Sequence, residues 1–143
     1  MWGRVKIAEA TVSYATPEQE AVAPGEPLRL AVALEAPEPV EDVVIGLAVY
    51  NSMGWLVFGT NTHLHGVDLG TVSGRREVTF VFSDVPLLDG TYAVTIGVHT
   101  KGGLVYDSWE QLRRFEVAAP GRDIGLVRLP VEIDAGAQAE RGR

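Results

Sequence analysis

Tyr50, Asn61, Thr62, His63, Thr95, His99, Tyr106 and Trp109 are the side chains of this sequence best suited to meet a ligand. None is a ready nucleophile. The chain has no cysteine, no Gly-x-Ser-x-Gly, and no Ser, His and Asp that sequence brings together. Asp107 and Glu110 could imitate a glycosidase acid pair. In a chain with 19 Asp and Glu, however, two nearby acids are expected by chance, and their separation decides the mechanism. An enzyme is not expected. His63 and His65 share a face at i and i+2, with Asp68 following, but no third strong ligand stands at fixed spacing. Neither a metal nor a cofactor is expected. The set fits a hydroxyl-rich ligand. Aromatic rings stack on the apolar C–H faces of sugars, and Asn, Thr and His offer donors and acceptors to hydroxyls. For each residue a structural role competes. Tyr and Trp are commonly core residues, and Asn and Thr often bond their own backbone.

These residues depend on strands for their placement. From Asp42 to His63 the sequence reads as two strands and a turn, Asn51-Ser52-Met53-Gly54. Ile45, Leu47 and Val49 alternate with Gly46, Ala48 and Tyr50, the period of a half-buried strand. The stretch Thr91 to Thr100 repeats the pattern, with Tyr92, Val94, Ile96 and Val98 inward and Ala93, Thr95, Gly97 and His99 outward. A plain solvent face would carry Lys, Glu or Thr. Small residues at Gly46, Ala48, Thr95 and Gly97 instead predict a shallow trough, with Tyr50 and His99 at its rim. Glycine lets a ligand approach the backbone; a loop, the tail or a second protomer covering the sheet would favour small residues equally.

Further strands are predicted over Arg4–Ser13, with a bulge near Glu9, Leu28–Glu35, Arg75–Phe82, Leu104–Val117, with a bulge or break near Ser108, and Gly125–Ile133. Pro37-Glu38-Pro39 is read as a break, and Pro130 places the last strand at an edge. Asp89-Gly90-Thr91-Tyr92 resembles the tyrosine corner of immunoglobulin-like sandwiches. About eight strands, short Gly/Pro turns and no convincing helix predict an all-β, immunoglobulin-like antiparallel β-sandwich. Residues 1–133 are expected to form it, and 134–143 a disordered tail.

The net charge of −7 argues against nucleic acid and against an anionic membrane surface. No apolar run approaches the ~20 residues of a membrane helix, and no signal peptide is seen at the start. These features fit the cytoplasm.

The runs VIGLAVYNSMGWLVFGTNTH, DVPLLDGTYAVTIGVHT and GLVYDSWEQLRRFEV closely resemble the C-terminal domain of Wzt, the ATPase subunit of ABC transporters that export O-antigen polysaccharide. The most specific pieces are Val57-Phe58-Gly59-Thr60-Asn61-Thr62, Asp89-Gly90-Thr91-Tyr92 and Arg122-Asp123-Ile124-Gly125. The resemblance implies a non-catalytic sandwich that recognises the glycan in the cytoplasm, at the inner membrane through the transporter's ATPase and membrane subunits. It also implies a homodimer that exchanges a C-terminal strand, 125–133 here. No G-x-x-x-x-G-K-[ST] occurs, so an isolated domain that does not bind ATP is expected. The competing function is a protein–protein assembly domain whose trough receives a partner segment.

Overall fold

The computed structural model describes residues 2–137. Seven strands follow in order: β1 Lys6–Ser13, β2 Leu28–Val40, β3 Val44–Tyr50, β4 Leu56–Asn61, β5 Val72–Phe82, β6 Gly90–His99 and β7 Val105–Val117. There is no helix among the described residues. The strands form two antiparallel sheets, β1-β2-β5 and β4-β3-β6-β7. That order matches the A-B-E and C′-C-F-G sheets of an immunoglobulin-like sandwich. The alternating residues meet between the sheets: Leu30, Val32 and Leu34 from β2, Ile45, Leu47 and Val49 from β3, and Val94, Ile96 and Val98 from β6 are all buried. The predicted bulge in β1 is present, as a register shift between Ile7 and Glu9.

Tyr92 makes the tyrosine corner, its hydroxyl donating to the Leu88 carbonyl at 2.7 Å. Burial, then the Asp89 carboxylate, raises its pKa above the ordinary 10.0. Tyr106 is raised in the same direction by burial, then by Asp42, with Arg4 opposing. A raised folded-state pKa stabilises the fold at every pH below the unfolded value, and that contribution disappears as pH rises through the folded value. Urea unfolding midpoints are therefore expected to fall as pH rises above about 10. The fall should be shallower in the double variant Tyr92→Phe/Tyr106→Phe, which at neutral pH should lose about 1 kcal/mol per hydroxyl. A midpoint falling equally steeply in the double variant would assign the alkaline transition to other groups.

Two expectations are corrected. β2 runs through Pro37-Glu38-Pro39 instead of breaking. Both prolines fall where the pairing with β5 is interrupted, between Ala36 and Val40, so their missing N–H groups interrupt no regular ladder. The eighth strand, Gly125–Ile133, is not a strand. Gly125 has φ of 120°, and the segment touches the sandwich at one isolated bridge, Val127 to Leu87. Beside it the Arg128 N–H donates to the Pro86 carbonyl at 2.7 Å, and the guanidinium meets Asp84 at 3.2 Å. Beyond that point Leu129, Val131 and Ile133 are 73%, 72% and 88% exposed. Apolar alternation marks residues fit for a sheet; it does not supply the free edge they need. Of the expected tail, residues 134–137 carry no regular structure, and 138–143 lie outside the described residues.

The sandwich has unequal sides. Where β1 faces β7, side chains close the seam: the Ile7 N–H donates to Asp107 Oδ2 at 2.8 Å, and Arg113 Nε donates to the Ala10 carbonyl at 2.7 Å. Where β4 faces β5, Phe58 packs edge-to-face on Phe82, with centroids 6.2 Å apart. Behind that pair lies an apolar cleft of about 290 Å³.

Candidate ligand-binding face

The trough is built on the outer face of the four-stranded sheet. Gly46 stands directly opposite Gly97, and Ala48 opposite Thr95. On the other side of β3, Asn61 lies opposite Gly46 and Gly59 opposite Ala48; on the far side of β6, Ser108 lies opposite Gly97. Two uncharged rows therefore cross the sheet: Asn61-Gly46-Gly97-Ser108 and Gly59-Ala48-Thr95. Strand spacing makes the first row, across four strands, about 14 Å long. Their neighbours Ile45, Leu47 and Ile96 point into the core, so alternation fixes this face. Tyr50 continues β3 past Ala48, opposite Ala93, and Arg114 stands opposite Ala93 on β7.

His99 does more than flank the trough. Its Nδ1 lies 2.7 Å from the Thr100 carbonyl. In the neutral ring that partner places the proton on Nδ1 and leaves Nε2 an acceptor. A methyl group added at Gly46 would lie 3.3 Å from Nε2. The ring thus leans over Gly46, which must be small to admit it. Gly97 is different: a methyl group added there would meet nothing within 4 Å. The open floor of the trough is at Gly97.

β7 adds a wall. Its pairing with β6 jumps from Trp109 opposite Ile96 to Arg113 opposite Val94, so extra residues bulge outward. Gln111 takes a positive φ of 49°, and its N–H donates to Thr95 Oγ1 at 2.9 Å. Because Thr95 points outward, the bulge folds onto the outer face at the β7 end of the trough.

The remaining expected site residues divide. Asn61 is on the face, although its Oδ1 also accepts the Leu64 N–H at 2.7 Å. His63 is exposed in the turn after β4, beyond the crossed rows. Thr62 is 4% exposed, and its Oγ1 accepts the Ile45 N–H; it locks the end of the hairpin and is corrected to a structural role. Tyr106 is corrected likewise. It is 1% exposed and its hydroxyl donates to the carbonyls of Glu41 and Asp42. Trp109 pairs with the inward-facing Ile96 and packs on the core. The Arg113 guanidinium lies over its ring at 5.2 Å, so it too leaves the outer face. The bulge expected near Ser108 is present, as register shifts on either side of that residue; sequence reasoning missed Gly59 and Ser108 as residues of this face. A glycine inside an otherwise apolar strand was the available signal for Gly59; Ser108 needed the register. Among the described residues no group of three or more His, Cys, Asp and Glu could hold a metal ion.

A family model described as the Wzt C-terminal domain matches residues 2–129. The chain belongs to the Wzt C-terminal domain family. Among solved structures, the "Crystal structure of the C-terminal domain of wzt" superposes on it with a TM-score of 0.81 at 17% identity. That match covers 93% of this chain and 84% of the other. A beta-glucuronidase from Bacteroides Uniformis matches with a TM-score of 0.52 at 12% identity, over 74% of this chain and 14% of its own. At these identities both superpositions speak for the fold alone. The comparison with curated proteins found no match. In this Wzt C-terminal domain, no helix of the described residues is long and apolar enough to cross a membrane.

Proposed function

We propose that residues 1–133 form a non-catalytic carbohydrate-binding module that recognises O-antigen-type polysaccharide on the cytoplasmic side of the inner membrane. In this reading the module delivers the glycan to an ABC exporter through its ATPase and membrane subunits. Family membership supplies the class of ligand. The observation that carries the assignment to a surface is the outward Gly46–Gly97 pair. It leaves an uncharged floor, open at Gly97, between Tyr50, the His99 ring over Gly46 and the β7 bulge, against which a sugar ring can lie. Sugars need such a surface because their recognition combines apolar stacking with hydrogen bonds to hydroxyls.

The test is calorimetric titration with oligosaccharides cut from candidate O-antigens. Tyr50→Ala should weaken binding about tenfold through lost ring contact. His99→Ala should weaken it several-fold through a polar contact worth about 0.5–1.5 kcal/mol. Unchanged affinity in both folded variants, for a glycan that the wild type binds, moves the site off this face.

The exposed stripe Leu129, Val131 and Ile133 favours self-assembly as a second property of the domain. In this reading the domain is a homodimer in which residues 125–133 are exchanged between protomers. Ala119-Pro120-Gly121 is the linker that can send the segment to a neighbour.

A further inference from the structure

Two polar atoms at one end of the trough belong to groups that a backbone partner already orients, and both atoms are left free. Asn61 Oδ1 accepts the Leu64 N–H at 2.7 Å. That bond fixes which way the amide is turned and leaves Nδ2, with two hydrogens, as its free end. The Thr100 carbonyl holds the proton of the neutral His99 ring on Nδ1, so Nε2 is a bare acceptor. Neither Nδ2 nor Nε2 makes a hydrogen bond among the described residues. The one buried side-chain nitrogen or oxygen without a partner there is Arg128 Nε, so both atoms are open to solvent.

The two residues meet over Gly46. A carbon added at Gly46 would lie 3.3 Å from Nε2 and 3.7 Å from Asn61 Cβ. At most about 7 Å therefore separates the ring nitrogen from the root of the amide, and one oxygen bonded to both nitrogens at about 2.8–3.0 Å fits that span. Gly97, the open floor, is the next residue across the sheet, about 5 Å away. A sugar ring lying on Gly97 presents the substituents of its edge to this donor and acceptor.

We propose that Asn61 and His99 read one free hydroxyl of the glycan, Asn61 Nδ2 donating to its oxygen and its O–H donating to His99 Nε2. The face then selects sugars unsubstituted at that position. The proposal rests on the trough reading above and adds the group that is recognised. A hydroxyl is the common sugar substituent whose single oxygen both donates and accepts. A methyl ether accepts only and leaves Nε2 without a partner. An ionised carboxylate or phosphate also accepts only, and it sets its charge against the Nε2 lone pair. The surroundings agree: both crossed rows are uncharged, and a chain of net charge −7 repels an anionic group at long range.

The probes are the methyl glycosides of glucose, galactose and mannose, each with one hydroxyl at a time replaced by hydrogen or by methoxy, titrated into the full-length chain by NMR. In a glycoside that binds, one position should stand apart: either replacement there should weaken binding about tenfold, the loss of one polar contact. Asn61→Asp keeps the acceptor for the Leu64 N–H and removes only the free donor. His99→Phe keeps a ring over Gly46 and removes Nε2. Each variant should weaken the parent glycoside about tenfold, yet bind the deoxy analogue of that position as wild type does, because the contact it deletes is already gone. A purely structural role would weaken parent and analogues alike, and that result overturns the proposal, as does wild-type affinity in both folded variants. Gly97→Leu judges the trough separately, with oligosaccharides cut from candidate O-antigens. If it excludes an oligosaccharide that the wild type binds, while the glycosides fail to bind or show no such coupling, the trough stands and the hydroxyl assignment falls. If it binds that oligosaccharide as wild type does, or if the wild type binds neither kind of probe, both fall.

Discussion

Gly97→Leu is expected to reduce glycan binding at least a hundredfold while the melting temperature stays within a few degrees of wild type. Gly97 lies at the centre of the crossed rows, opposite Gly46 on one side and Ser108 on the other. Its backbone lies in a strand and an added Cβ meets nothing within 4 Å, so a side chain can start there without displacing a neighbour. Leucine in place of glycine also reduces the freedom of the unfolded chain, which offsets the exposure of an apolar group. On the ligand side the same atoms stand where a sugar ring would lie, and excluding the ring removes every contact at once. A hundredfold loss is about 2.8 kcal/mol, the order of one stacking contact with one or two hydrogen bonds. Gly46→Leu is the informative contrast. It must displace the His99 ring, whose Nε2 lies 3.3 Å from the added carbon, and so should cost stability as well as binding. Titration beside differential scanning calorimetry separates the two. Wild-type affinity in folded Gly97→Leu would end the trough assignment.

Ending the chain after Ile124 is expected to convert the proposed dimer to monomer without unfolding the sandwich. The described part of the removed segment, residues 125–137, contributes no strand. They contribute the bridge from Val127 to Leu87 and the Arg128–Asp84 ion pair, a partly exposed contact of small worth. They also carry the exposed stripe that needs a sheet. Light scattering should give the monomer mass across the micromolar range, with glycan affinity per site unchanged and avidity for long polysaccharide reduced. A truncated chain that stays dimeric with unchanged melting places the dimer contact elsewhere.

The fold was legible because it rests on alternation. Ile45-Leu47-Val49 and Tyr92-Val94-Ile96-Val98 each declare a buried face, and the opposite face follows without knowing the partner strand. The trough was legible for the same reason, since Gly46, Ala48, Thr95 and Gly97 break the usual outward composition. Three residue roles were not legible. Trp109 turns inward because the register shift at Tyr106, where Val105 and Asp107 face the adjacent His99 and Val98, resets the parity of β7. Tyr106 and Thr62 sit at strand ends, where a hydroxyl finds backbone groups to satisfy and is buried in doing so. The eighth strand failed for a complementary reason. Residues 125–133 carry the pattern of a strand, but pattern cannot say which molecule provides the edge.

The seam that joins β1 to β7 bears on the order in which the molecule is made. Its two hydrogen bonds link residues 100 and 103 positions apart, near the limits of the sandwich. Closing so long a loop is entropically costly, and contacts of that range slow folding. On the ribosome, β1 and β2 emerge early, yet β1 can acquire its side-chain contacts to β7 only after Arg113 has been translated. Until then the edge of β1 is exposed. A nascent chain stalled before Asp107 should therefore be the species most dependent on a chaperone.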